Sequence, residues 1–137
     1  MNKIIYDGEG CVFGRLASVV AKDLLKGNSV DLINCGGIVV SGDKKLFAKK
    51  ILAKREMGSG GSMKGPKYPR VADRLVKRMI RGMLPWDRPK GRGALKRFRC
   101  FSGNGQRVTG NGPDVIKLEY EKPMKYFVIK DVIGLLK

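Results

Sequence analysis

The side chains best equipped for chemistry in this chain of 137 residues are its cations. From Lys44 to Arg107 there are 20 Lys or Arg residues against three acids, Glu56, Asp73 and Asp87. The whole chain holds 29 against 12, so this one stretch carries the entire net charge of +17 and its flanks are balanced. Charge concentrated in this way points to a polyanionic partner at one place. At helical spacing Arg70, Arg74, Lys77, Arg78 and Arg81 fall within about a 100° arc. Cations at i and i+4 repel one another, and a bound anion relieves that repulsion. Arginine's planar fork also suits bidentate phosphate contact.

A second set precedes these residues. Lys44, Lys45, Lys49, Lys50, Lys54 and Arg55 lie on a segment whose apolar residues Phe47, Ala48, Ile51 and Leu52 make its buried side. Lys64, Lys67 and Tyr68 sit in the Gly/Pro-rich loop Met57–Pro69, which reads as an extended arm against nucleic acid. Arg88, Lys90 and Arg92 belong to the rigid turn Leu84–Arg92, and Lys96 and Arg97 follow it. Tyr68 and Trp86 either stack on bases or pack against the protein.

Several chemistries lack their residues. The chain has no histidine, which removes Ser-His-Asp and Cys-His catalysis and every His-based metal site. Cys11, Cys35 and Cys100 are odd in number, far apart and never spaced as CxxC. They read as small buried hydrophobes, not as a disulfide framework or zinc site. No apolar run approaches bilayer length, and the N-terminus has no signal-peptide core, which points to the cytosol. Membrane-surface binding is disfavoured because the apolar face of Arg70–Met83 has the size of a core face.

The elements that must position the cations follow from periodicity. Lys3–Tyr6 predicts a strand, Val12–Lys26 a helix and Val30–Asn34 a second strand, which together make a β-α-β unit with parallel pairing. Ile38–Val40 is a third short apolar segment. Ser41 is the expected N-cap of a helix running to about Glu56. A helix is predicted over Arg70–Met83, with Val71, Ala72, Leu75, Val76, Met79, Ile80 and Met83 on its core side. A short helix is expected at Ala94–Arg97, a strand at Phe98–Phe101, a loop at Ser102–Pro113 and a last strand at Tyr126–Ile129. Asp131 is expected to cap a terminal helix.

Gly8, Gly10 and Gly14 stand between the first strand and helix, the place of a dinucleotide fingerprint. Their spacing is GxGxxxG, no acid follows the second strand, and Glu9 would repel phosphate. A tight strand-to-helix turn is the simpler reading.

The segment Arg81-Gly82-Met83-Leu84-Pro85-Trp86-Asp87-Arg88-Pro89-Lys90-Gly91-Arg92-Gly93-Ala94-Leu95-Lys96-Arg97 resembles the signature of the universal large-subunit ribosomal proteins of the L-thirteen family, in their archaeal/eukaryotic form. Asp7-Gly8-Glu9-Gly10 with Gly14-Arg15-Leu16-Ala17-Ser18 is similar to the family's N-terminal motif, and Val40–Lys45 to its second block. Gly65-Pro66 through Asp73-Arg74 also fits. The resemblance spans about residues 5–103. Within it, Cys100 replaces a small or β-branched residue and Phe101 a tyrosine.

The resemblance implies one three-layer α/β domain over residues 1–137. Its central, mainly parallel sheet of about four strands is flanked by helices, with a basic helical and loop extension at about 44–107. It implies a non-enzymatic constituent of the large subunit in the cytoplasmic ribosome, binding large-subunit ribosomal RNA and neighbouring ribosomal proteins. No cofactor, metal, membrane or small-molecule substrate is implied. The alternatives are a small nucleotide-binding protein using Gly8–Gly14 and a DNA-compacting protein.

Overall fold

β1 (Lys3–Asp7) and β2 (Ser29–Ile33) lie parallel, with Ile4 beside Val30 and Tyr6 beside Leu32. Between them α1 (Phe13–Leu25) buries Leu16, Ala17, Val20, Ala21 and Leu24, the stripe its apolar spacing demands. The helix ends where Gly27 takes a φ of +101°, a left-handed value that costs glycine little. The computed structural model describes residues 1–58, 60–61, 64–103 and 114–136.

The third apolar segment leaves this unit. β3 (Val39–Ser41) pairs antiparallel with β6 (Tyr126–Val128) in a separate two-stranded sheet. The main sheet is completed by β4 (Phe98–Cys100) parallel to β2 and by β5 (Val115–Lys117) parallel to β1. The order is β4-β2-β1-β5, a central parallel sheet of four strands. β5 carries no sequence signal because all three of its residues are exposed and no alternation marks an inner face. Of the loop expected at Ser102–Pro113, residues 104–113 lie outside the described residues.

Two helix caps differ from expectation. α2 (Lys44–Glu56) is capped by Asp43, whose carboxylate accepts the Lys45 amide at 2.8 Å. Ser41 is instead the last residue of β3, held beside Tyr126. In α5 (Ile129–Leu135) the cap position is Val128, and Asp131 falls in the first turn, where its charge still favours the helix dipole.

α3 (Ala72–Arg81) buries Ala72, Leu75, Val76 and Ile80. Val71 and Met83, expected on its core side, lie just beyond its ends and stay 49% and 41% exposed. α4 (Pro89–Lys96) begins five residues before the expected Ala94, because Pro89 occupies a position where a missing N–H costs nothing. Gly91 allows this close packing: a Cβ there would overlap the carbonyl of Pro85.

The core has two main parts. Leu16, Val20, Val30, Leu32, Val76, Ile80, Ala94 and Phe98 join α1, α3 and α4 to one face of the sheet. Ala48, Ile51, Leu75, Phe127, Val132 and Leu136 join α2 to α3, β6 and α5. Helix α3 contributes to both and is the beam between them.

The cysteines correct the sequence reading in part. Cys11 is buried and free, its thiol donating to the carbonyls of Asp7 and Leu118. Cys35 and Cys100, however, are joined as a disulfide between the end of β2 and β4, with Cα atoms 6.8 Å apart. They are 65 residues apart in the chain, so only the parallel pairing of β2 with β4 brings them together.

Candidate nucleic-acid interface

The buried side of α2 consists of Ala48 and Ile51, so its cations face outward. Lys44, Lys45, Lys49, Lys50 and Lys54 are exposed, and Arg55 is half-buried. On α3 the packing of Leu75, Val76 and Ile80 turns Arg74 out to solvent, with Arg70 exposed just before the helix.

The loop between the two helices returns to join them. Tyr68 is half-buried against the second core cluster. The Lys54 ammonium lies 5.0 Å from its ring centroid and donates to its hydroxyl at 3.4 Å. The Arg78 guanidinium lies 5.4 Å from the same centroid. The ring's negative faces attract both cations. Tyr68 therefore links the cations of α2 and α3 into one surface. Lys64 and Lys67 are exposed in the same loop.

At the other end of α3, Arg81 stacks over Trp86 at 4.0 Å from the ring centroid. Trp86 remains 39% exposed. Arg88, Lys90 and Lys96 are exposed around α4.

Three of the sequence candidates are tied to backbone carbonyls, Arg92 while still exposed and Lys77 and Arg97 half-buried. Arg92 donates from Nε to the Trp86 carbonyl and from Nη2 to the Asp87 carbonyl, both at 3.1 Å, bracing the signature turn. Arg97 donates to the Leu24 carbonyl at 2.8 Å and to the Asn28 carbonyl at 3.4 Å, capping the C-terminal end of α1. Lys77 is half-buried and donates to the Phe98 carbonyl at 2.8 Å. Burial, and then the charge of Arg99, hold its ammonium below the usual lysine pKa.

Sequence reasoning passed over Arg99, which lines a cleft with Arg74 and Lys77. Its signal was the alternation of β4, in which Phe98 is buried and Arg99 points out.

The glycine loop after β1 uses its donors within the fold. Gly8 donates to Ile33 at 2.9 Å, Gly10 to Gly37 at 3.0 Å and Cys11 to Gly8 at 3.2 Å, all at carbonyl oxygens. A Cβ on Gly8 would come within 2.9 Å of Ile38. These glycines serve close packing and a tight turn.

A family model described as "Ribosomal protein L13" matches residues 1–107, which contain the whole basic stretch. The chain belongs to this family. Its relatives include a protein of Methanocaldococcus jannaschii, 39% identical over 107 residues, covering 77% of this chain and 78% of that protein. One of Archaeoglobus fulgidus is 35% identical over 132 residues, 93% of this chain and 83% of that protein. One of Methanococcoides burtonii is 36% identical over 134 residues, 93% of each. All three are named large ribosomal subunit protein uL13. The family is structural and non-enzymatic. Among the described residues no helix is long and apolar enough to cross a membrane.

Proposed function

We propose that this chain is a structural constituent of the large ribosomal subunit, acting as a single domain on the cytoplasmic ribosome. It binds large-subunit, 23S-type ribosomal RNA through Lys/Arg–phosphate contacts and so supports subunit assembly and translation, beside neighbouring ribosomal proteins. The observation that carries this reading is the joining of two basic helices through Tyr68, with Lys54 and Arg78 on the same ring. A surface of one sign is costly to hold together unless a polyanion neutralises it. The relatives named for the large subunit supply the polyanion: a ribosomal subunit is built on RNA.

Binding by phosphate neutralisation makes affinity fall steeply with salt, and RNA shape supplies most of the selectivity. Exchanging Arg74 and Arg78 together for glutamate tests this. Filter binding to deproteinised large-subunit RNA should show affinity lowered by an order of magnitude or more, and a salt slope smaller by about 1.5. The melting temperature should change little, because Arg74 is exposed and the Arg78–Tyr68 contact is worth only about 0.5–1 kcal/mol. Unaltered affinity and slope in the folded double variant would remove α3 from the interface. Duplex DNA that competes as well as RNA would favour a DNA-compacting role.

A further inference from the structure

β4 is an edge strand of the main sheet, and the positive charge continues around it. One cleft beside it, of about 400 Å³, is lined by Lys3, Asp31, Lys96, Arg97 and Arg99. Another, of about 390 Å³, is lined by Asp73, Arg74, Lys77 and Arg99. Arg99 belongs to both, so cationic side chains continue from α3 across the strand to the start of β1.

The carboxylates along this edge are already engaged. Asp73 accepts the backbone amide of Arg74 at 2.8 Å. Asp31 stands directly across from Arg99 in the pairing of β2 with β4, yet its carboxylate is held by Lys3 at 3.2 Å. Arg99 is thereby left exposed and without an ion pair among the described residues. Its charge is felt by Lys77, whose ammonium it helps to hold below the ordinary range. Lys3, although paired with Asp31, has its side chain 47% exposed and donors to spare.

We propose that the β4 edge is a second phosphate-contacting surface for the RNA, with Arg99 and Lys3 as contacts that join the α3 face through Arg74. This rests on the RNA-binding reading above. A series of cations running through connected clefts suits the repeating phosphates of a nucleic-acid strand better than one isolated anion. RNA is also recognised largely through its backbone and shape, which rewards contacts spread around a domain.

The test uses the full chain and deproteinised large-subunit ribosomal RNA, with filter binding across a range of salt. Arg99→Glu should bind about tenfold more weakly, with a salt slope smaller by about 1. Arg99→Gln should lose less in the same direction, and it carries the test if the glutamate variant does not fold. Lys117→Glu, on the opposite edge strand β5, should change neither quantity. Unchanged affinity and slope in both Arg99 variants, while the Arg74/Arg78 double variant loses binding, would overturn this inference and leave the RNA-binding role standing. Unchanged binding in all of these variants would overturn both. An equal loss in Lys117→Glu would also overturn it, because the effect would then reflect net charge and not a contact.

Discussion

The guanidinium of Arg81, the last residue of α3, lies 4.0 Å from the centroid of Trp86 in the turn that leads to α4. The contact fixes the basic signature turn against the basic helix. It is worth about 0.5–1 kcal/mol at an exposed site. Trp86 is the sole tryptophan, so the emission reports on the surroundings of this ring, Arg81 among them. Arg81→Gln is expected to shift that emission to longer wavelength and to lower stability in urea by that amount. Emission identical to wild type would mean that the stack does not persist in solution.

Gly91 and Gly93 sit in the same helix but answer differently to a methyl group. A Cβ on Gly91 would overlap the Pro85 carbonyl, whereas one on Gly93 would meet Arg97 at an ordinary 3.6 Å. Gly91→Ala is therefore expected to destabilise by about 2–3 kcal/mol through forced backbone movement. Gly93→Ala should be neutral or gain up to about 1 kcal/mol from helix propensity. Urea denaturation of the two variants side by side checks the difference in sign.

Arg97 serves the fold before it serves any ligand. Its donors satisfy carbonyls of Leu24 and Asn28 at the end of α1. Arg97→Ala is expected to cost about 2 kcal/mol, as hydrogen bonds from a charged donor do. Arg97→Lys should recover little, because a single ammonium cannot reproduce the fork that reaches both carbonyls. Full recovery in the lysine variant, seen in the thermal midpoint, would show that charge and not geometry is what matters there.

Asp43 gives a pH signature. The amide of Lys45, with further help from Leu46 and Lys125, holds its carboxyl below the usual aspartate pKa of 3.8. A lowered folded pKa contributes stability that is complete above the unfolded value and is lost as pH falls through the folded one. Asp43→Asn keeps a capping oxygen but removes the charge. The variant should melt below wild type at pH 7, and the gap should close as pH drops under 3.8. A gap that persists in acid would mean that the charge is not its source.

Much of this protein is legible along its chain. Residues 13–25 and 72–81 are helices because their apolar side chains recur with the helical period, and the same period sets Arg74 away from the core. The signature around Trp86 and the N-terminal glycine motif carried the family. What the chain could not disclose is which cations are tied to the protein's own carbonyls. Lys77, Arg92 and Arg97 look like the other cations in sequence, yet each is drawn to a backbone carbonyl, in two cases one supplied by a distant segment. Likewise Arg99 has no ion pair among the described residues, and the carboxylate across from it, Asp31, is held by Lys3 near the start of the chain. The Cys35–Cys100 link and the exposed β5 have the same origin. Periodicity is a local property and survives in one dimension. The choice of partner for a charge, a thiol or a strand edge depends on what packing brings alongside, and only the folded chain decides that.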